Sequence, residues 1–283
     1  MKYSCPLTIL LILIRFSSIG QIYKDSIIDI HAHFWEMSRS ADQYFKDNKD
    51  LKIRTGGIVI IQKAGDLKNT RAKNDELIGL SRGNRNIIPV CSFHPYDGDS
   101  ALVELKRLKG LGVKMIKLHP ITQEFDIEDE RVSRITREAG NLGIVVLIDA
   151  YTFFQKNNVE KLIYLAFKNR NTKFIFAHLG GPEFQKFGFL GYLRSTNSWF
   201  ADNMWFDISG TVTIFANSPY KDELEWAIKT IGVNRILFGS DFPQFSVNET
   251  IKSLNELNLT KEEKKLILYS NANRLLTSKL KEE

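Results

Sequence analysis

The sequence predicts a (β/α)₈ barrel of the TIM type with extra C-terminal helices, an α/β fold in which helices surround a closed parallel sheet. Three observations support this prediction. Short runs of Ile, Val, Leu and Phe alternate with helical patterns in units of roughly 25–30 residues. Eight such runs occur, and most lack polar alternation, as expected for strands buried on both faces. The length of 283 residues fits one barrel of this kind, or alternatively two smaller domains.

The individual elements follow from local residue patterns. The predicted strands are 26–33, 56–62, 87–93, 113–118, 144–149, 173–177, 204–209 and 235–239. Apolar residues at three- and four-residue spacing predict helices at 69–81, 100–108, 129–141, 159–168, 219–230 and 247–257, and one or two extra helices at 261–276. The segment 180–203 is rich in aromatic residues but shows no clear period. An open doubly wound sheet is the alternative, but no Gly-rich phosphate loop follows the first strand.

The composition, with 43% hydrophobic and 25% charged residues, is that of an ordinary globular protein. The net charge is +6, but Lys and Arg are interspersed with Asp and Glu, and no basic block carries interleaved aromatic residues. We therefore expect a small-molecule substrate and no nucleic-acid partner. A homodimer remains open.

The N-terminal segment has the features of a signal peptide. Lys2 precedes an apolar run at 7–14, and the small residues Ser18 and Gly20 lie just before a cut at Gln21. The run is too short to span a bilayer as an ordinary helix. This pattern predicts that the segment is removed during export.

We therefore expect a periplasmic or secreted protein, with no membrane attachment after cleavage of residues 1–20 and with a barrel domain at 21–283. Without cleavage the protein would be cytoplasmic. Cleavage also removes Cys5, so Cys91 loses its one potential disulfide partner and the fold depends on core packing. Mass spectrometry of the native protein tests export: a mature N-terminus near Gln21 is expected, and an intact cytosolic chain would contradict it.

Polar residues cluster where the predicted strands end, which is where the active site of such a barrel lies. The residues concerned are Asp29, His31 and His33 in strand one, His94 after strand three, Lys117 and His119 at strand four, Asp149 at strand five, His178 at strand six and Asp241 after strand eight. All five His residues of the chain belong to this set. The sequence therefore predicts a site at the carboxyl end of the barrel.

The pair His31 and His33 is suited to binding one metal ion. Because successive side chains of a strand alternate, both imidazoles point to the same side and can reach the same ion. Asp29 has the same parity one step deeper and is expected to orient a ligand. The alternative is a pair of interior polar residues that only hydrogen-bond to their neighbours.

Five motifs, in their order along the chain, resemble those of the amidohydrolase superfamily, in particular its branch of amidohydrolase-related metal-dependent hydrolases and nonoxidative decarboxylases. The motifs are Asp29-Ile-His-Ala-His33, Gly112-Val-Lys-Met-Ile-Lys-Leu-His-Pro120, Ala177-His-Leu-Gly-Gly181, Leu237-Phe-Gly-Ser-Asp-Phe-Pro243 and Asn271-Ala-Asn-Arg-Leu275. The resemblance covers essentially the whole chain after the N-terminal segment. No single motif is specific, but the combination is.

The resemblance implies a role for each matching position. His31 and His33 would bind one divalent ion, and Asp241 would be both a further ligand and the proton acceptor for the attacking water. His178 would lie over the metal and polarise the substrate or bind a second ion. Zinc is the expected ion, with manganese or another divalent ion as alternatives.

Asp149 departs from the family pattern, since relatives usually carry a metal-binding His at the end of strand five. An Asp can still bind a divalent ion through oxygen. Alternatively, His178 or His119 completes the metal shell and Asp149 lies behind it, or Asp149 caps the helix that follows.

Lys117 has three interpretations. The preferred one is a cation that holds a substrate carboxylate. In several superfamily members a similar strand-four Lys is carboxylated and bridges two metals, and a structural ion pair inside the barrel is the third interpretation. His119 shares the parity of Lys117 and is expected to line the substrate pocket.

Other conspicuous residues are expected to be structural. The motif starting at Asn271 resembles the family's closing helix, with Asn271 as its cap and Leu275 and Leu276 packed inward. His94 is expected to form a local hydrogen bond. The aromatic residues expected in the core or in a pocket wall are Phe184, Phe187, Phe189, Trp199 and Trp205.

The sequence thus predicts a hydrolase that cleaves an amide, lactone or ester bond in a small anionic substrate. A nonoxidative decarboxylase on the same site is the alternative. A barrel that has lost turnover and only binds ligands is a third reading. The presence of Asp241 argues against it, because binding alone needs no carboxylate that activates water.

Overall fold

The computed structural model describes residues 25–151, 156–197 and 199–277, in which eight parallel strands follow one another around a barrel. The strands are β1 (Ile27–His33), β2 (Ile53–Ile58), β3 (Ile87–Ser92), β4 (Met115–Leu118), β5 (Val145–Ile148), β6 (Phe174–Phe176), β7 (Met204–Asp207) and β8 (Ile236–Leu237). Each strand pairs in parallel with the next one along the chain. The predicted fold class is confirmed. The predicted signal peptide lies outside the described residues.

The barrel closes between β8 and β1 through backbone hydrogen bonds made by the segment after β8. Asp241 N donates to His31 O (2.8 Å), and His33 N donates to Phe242 O (2.7 Å). These bonds hold Asp241 beside both His residues of β1. Barrel closure itself therefore brings together residues that are about 200 positions apart in sequence.

Helices connect the strands and cover the outside of the barrel. The described ones are α1 (Ser38–Asp47), α2 (Leu67–Gly83), α3 (Asp99–Gly110), α4 (Glu130–Asn141), α5 (Asn158–Lys168), α6 (Phe184–Thr196), α7 (Thr211–Phe215), α8 (Lys221–Ile231), α9 (Val247–Glu256), α10 (Lys261–Lys265) and α11 (Asn271–Thr277). The six predicted connecting helices are confirmed as α2, α3, α4, α5, α8 and α9. The helices α1, α6 and α7 are additional. Every described helix falls short of the length and apolar character needed to cross a bilayer.

The segment 180–203 contains α6 although its sequence shows no clear period. The period is missing because the face of α6 that contacts α8 carries glycines, Gly188 and Gly191. A Cβ atom on Gly188 would lie 2.5 Å from the ring of Trp226, and one on Gly191 would lie 2.5 Å from Cα of Ile231. Because these contact positions carry no side chain, the apolar period of a helix is hidden.

Strand two begins and ends earlier than predicted, since β2 covers Ile53–Ile58 and not 56–62. Gly56 lies in mid-strand because β1 approaches closely there: a Cβ atom would lie 2.5 Å from Ile30 O. The glycine resembles a strand boundary in sequence, but it is a point of close backbone contact.

The C-terminal helices close the amino end of the barrel interior. Leu275 and Leu276 are buried against the apolar residues that fill the barrel, as predicted. The predicted capping role of Asn271 is wrong. Its side-chain amide donates to Val233 O and Ile236 O, both at 2.8 Å, because α11 continues without a break from the π-helical turn Leu266–Ser270 and has no free first turn to cap.

The predicted aromatic core residues divide into two groups. Phe184 and Phe187 are fully buried, and Trp205 packs against the apolar residues inside the barrel. Phe189 and Trp199 are 59% and 55% exposed, so they do not lie in the core, which was one of the two places predicted for them. They lie on the surface of the barrel.

Candidate metal centre and substrate cavity

The predicted site residues meet at the carboxyl end of the barrel. His31 and His33 belong to β1, and the others follow the strands that position them: Lys117 and His119 at β4, Asp149 after β5, His178 after β6 and Asp241 after β8. His94 is the exception. Its Nε2 donates to Gln123 O (2.6 Å) and its Nδ1 accepts from Tyr96 N (3.1 Å), which is the predicted local bonding.

Three ligand atoms converge on one point. His31 Nε2 lies 3.2 Å from His33 Nε2, and Asp241 Oδ1 lies 3.5 Å from the first nitrogen and 3.2 Å from the second. Ligands bound about 2.0–2.2 Å from one ion have mutual distances of this size. These three residues form a group able to hold a metal ion.

Both imidazoles are held in the neutral form that binds metal. Burial and then the charge of Lys117 lower the pKa of His31 to about 4 and that of His33 to about 3. Neutral imidazole offers a lone pair, whereas imidazolium has none. Two such nitrogens facing each other at 3.2 Å, with a carboxylate beside them, fit a bound cation in their chemistry.

Asp207, at the end of β7, orients His31. Its Oδ2 lies 3.1 Å from His31 Nδ1, so the ring proton sits on Nδ1 and the lone pair of Nε2 faces the metal centre. Asp207 Oδ1 accepts from Ser209 N (2.9 Å) and His178 N (3.3 Å). Burial raises the pKa of Asp207, but His31 and His178 outweigh it and lower the pKa far below its usual range.

The sequence patterns did not identify Asp207 as a residue of the site. An acid at the end of a predicted barrel strand was the available signal, but no motif singled it out. Its partner His31 lies 176 positions away, so only the closed barrel shows the pair.

Asp149 lies among three basic side chains. Its Oδ2 lies 3.2 Å from Lys117 Nζ, 3.2 Å from His178 Nε2 and 3.5 Å from His119 Nε2. Burial would raise the pKa of Asp149, but His119, Lys117 and His178 together lower it well below its usual range. The group of His31, His33 and Asp241 does not include Asp149.

His178 is kept protonated by this arrangement. Burial lowers its pKa, but the charge of Asp149 and a hydrogen bond to it outweigh burial and raise the pKa to about 9. Nδ1 of the same ring lies 3.0 Å from Ser209 O. Both ring nitrogens therefore have acceptors, as an imidazolium requires.

Two adjoining cavities of about 540 and 390 Å³ open above this cluster. Both are lined by His119, Asp149, His178, Asp241 and Gln244. The combined space suits a small organic molecule. Lys117 is fully buried and is not among the described residues that line either cavity.

Comparison with known proteins identifies the family. The amidohydrolase family model matches residues 28–277. The chain belongs to the amidohydrolase family. No curated protein matches it in sequence. The matched region runs from β1 to α11 and includes every residue of the metal centre.

Solved structures of other proteins share the barrel of this chain. A candidate amidohydrolase from Staphylococcus aureus is 17% identical with a TM-score of 0.69, and the match covers 89% of this chain and 99% of that one. 2,6-Dihydroxybenzoate decarboxylase from Rhizobium is 14% identical with a TM-score of 0.68, and the match covers 89% of this chain and 98% of that one. Manganese-bound 5-carboxyvanillate decarboxylase from Novosphingobium aromaticivorans is 13% identical with a TM-score of 0.68, and the match covers 90% of this chain and 97% of that one.

The Asp29 carboxylate accepts from backbone amides and hydroxyl groups and not from an imidazole. The register of β1 against β2 shifts between Asp29 and Ala32, which breaks the simple alternation. Asp29 Oδ1 accepts from His31 N (3.0 Å) and Ser240 N (2.9 Å). The prediction that Asp29 points to the same side as His31 and His33 is therefore wrong. Its carboxylate connects β1 to the loop that carries Asp241.

Tyr44 on α1 completes this connection. Its hydroxyl donates to Asp29 Oδ2 (2.8 Å), and both side chains are fully buried. We expect Tyr44→Phe to lower the free energy of unfolding by roughly 1.5–3 kcal/mol, the usual range for a hydrogen bond to a charged group. Urea unfolding measures this change.

Tyr192→Phe is the matched control, because Tyr192 is 56% exposed on α6. We expect it to change stability by less than about 0.5 kcal/mol. Equal stability of the two variants would show that the bond between Tyr44 and Asp29 does not stabilise the fold.

Proposed function

We propose that this protein is a metal-dependent hydrolase that cleaves an amide, lactone or ester bond in a small anionic substrate. The observation that carries the proposal is the convergence of His31 Nε2, His33 Nε2 and Asp241 Oδ1 within 3.2–3.5 Å of one another beside a cavity. Two imidazoles and a carboxylate leave a coordination position open for substrate or water, as catalytic metal sites do.

His31, His33 and Asp241 would hold one divalent ion. We propose zinc from the donor set, with manganese as the alternative, since the 5-carboxyvanillate decarboxylase structure contains it. Such an ion, when bound, lowers the pKa of water and polarises a carbonyl oxygen. In this proposal Asp149 lies behind the metal shell, because its carboxylate is already bound by Lys117 and His178.

Asp241 is the proposed general base. Its side chain is 14% exposed and lines both cavities, so its carboxylate can reach a water molecule beside a substrate. It would take the proton as the water attacks and then pass it to the leaving group.

His178 is the proposed electrostatic stabiliser. Its ring lines both cavities and carries a positive charge because of Asp149. That charge would stabilise the negative charge developing on the substrate oxygen.

Lys117 and His119 differ in their access to substrate. Lys117 Nζ is fully buried, 3.2 Å from Asp149 Oδ2 and 3.4 Å from His31 Nε2. Of its three interpretations we favour the structural ion pair inside the barrel, so that in this proposal Lys117 does not touch substrate. His119 lines both cavities and is proposed to contact substrate directly.

A nonoxidative decarboxylase is the second candidate, favoured by the likeness in fold to the dihydroxybenzoate and carboxyvanillate decarboxylases. In that reaction the bond between the substrate carbon and its carboxylate breaks, CO₂ leaves, and a proton takes its place. The same cavity residues, Asp241 and His178, would supply that proton.

Elemental analysis followed by two assays tests the proposal. We expect about one divalent ion per chain. We further expect acid release in a pH-stat from a panel of lactones, esters and N-acyl amino acids. CO₂ release from hydroxybenzoates, without hydrolysis of the panel, would establish the decarboxylase instead. Ligand binding by a metal-free, inactive protein would overturn both.

A further inference from the structure

The two cavities above the metal centre differ in chemistry. The larger one, of about 540 Å³, has Lys73, Gln62, Thr122 and Trp35 in its lining besides several apolar side chains, and we call it the cationic lobe because of Lys73. The smaller one, of about 390 Å³, has Tyr151, Ile121, Ile214 and Phe245 in its lining besides the segment 209–211, and we call it the apolar lobe. The lobes meet at Asp241 and His178, where the reaction is proposed to occur.

Lys73 supplies the charge of the cationic lobe. It lies on α2, is half-buried, and has no ion-pair or hydrogen-bond partner among the residues that the structure describes. Lys117 provides the contrast, because its ammonium group is paired with Asp149 at 3.2 Å. An unpaired cation in the wall of a cavity is available to an anionic ligand.

Two further residues of the cationic lobe, Gln62 and Trp35, suit a polar, planar group. Gln62 can donate and accept hydrogen bonds. Trp35 is 60% exposed, and its ring lies 5.7 Å from that of His33. An exposed indole at the wall of a cavity offers a flat surface for a ligand next to the metal centre.

We propose that Lys73 binds an anionic group of the substrate that is not the reacting group, while the apolar lobe takes an apolar part of the same molecule. The substrate class is thus a small amphipathic anion whose reacting bond lies between its two ends. The position of the reacting bond rests on the proposed function, whereas the anion site at Lys73 does not require the metal.

Alkyl sulfonates are suitable probes because the sulfonate group is anionic and binds metals weakly. Isothermal titration would compare hexane-1-sulfonate, the neutral hexyl methyl sulfone and the short methanesulfonate on the wild-type protein. We expect hexane-1-sulfonate to bind most tightly, because only this probe fills both lobes and carries a charge.

Lys73→Met should weaken binding of hexane-1-sulfonate by roughly tenfold or more, the loss expected for a hydrogen-bonded charge. Binding of the neutral sulfone should not change. Lys73→Arg keeps the charge and should retain most of the affinity. Lys68→Met is the matched control, since Lys68 lies on the same helix but is exposed and outside the described lining of the cavity.

Two results would overturn the anion site: wild-type affinity of Lys73→Met for hexane-1-sulfonate, or an equal loss for the neutral sulfone. Absence of sulfonate binding by the wild type would do the same. Repeating the titrations after metal removal with EDTA separates this inference from the proposed function. Lys73-dependent binding by a protein that never holds metal would support the anion site and contradict the metal-dependent reaction.

Discussion

Asp241→Asn is expected to lower kcat by roughly 10²–10⁴, the usual contribution of a positioned acid or base. The amide keeps the shape of the side chain and one oxygen ligand but cannot accept the proton. Asp241 adopts φ 65°, a left-handed conformation that Asn also tolerates, so the backbone should be preserved. KM should change less than kcat, because the proton transfer occurs mainly in the transition state.

The competing account makes Asp241 a ligand only. It predicts that activity falls in proportion to metal occupancy and that excess metal restores the rate. The decisive measurement is therefore kcat of Asp241→Asn at saturating metal, with Asp202→Asn as a control for the loss of an exposed carboxylate. A rate near that of the wild type would remove Asp241 from the chemistry.

His31→Ala is expected to remove the metal ion and most of the activity. Loss of a residue that hydrogen-bonds to a metal ligand typically weakens metal affinity by roughly 10–100-fold. Loss of the ligand itself should weaken it by more. Asp207→Asn provides that smaller loss, because Asp207 holds the His31 ring without belonging to the group of His31, His33 and Asp241. Elemental analysis and metal titration should thus rank the wild type above Asp207→Asn, and Asp207→Asn above His31→Ala.

His94→Gln is the control for this series. His94 is a buried His near the same end of the barrel, but its bonds are local, and a Gln amide can still donate to Gln123 O. We expect it to retain metal. Circular dichroism would verify that His31→Ala remains folded, and full metal content in a folded His31→Ala protein would show that the site is wrongly placed.

The sequence predicted the barrel because its strands are buried on both faces and separated by helices of ordinary period. The position of the site followed from the same pattern, since the carboxyl ends of all strands meet at one end of a barrel. His31 and His33 could be paired from sequence because they are two positions apart. Asp241 was placed beside them by its motif after the last strand.

Only the tertiary structure decided what each residue contacts. Asp149 matches a position where relatives usually carry a metal-binding His, yet its carboxylate binds Lys117 and His178, which come from other strands. Strict alternation along β1 predicted that Asp29 orients a metal ligand. Because the register of β1 shifts, its carboxylate instead accepts a hydrogen bond from the backbone N–H of His31. Lys73 lies in the wall of the cavity because of the way α2 packs on the barrel. Such contacts join residues far apart in sequence, and local patterns describe the direction of a side chain but not its partner.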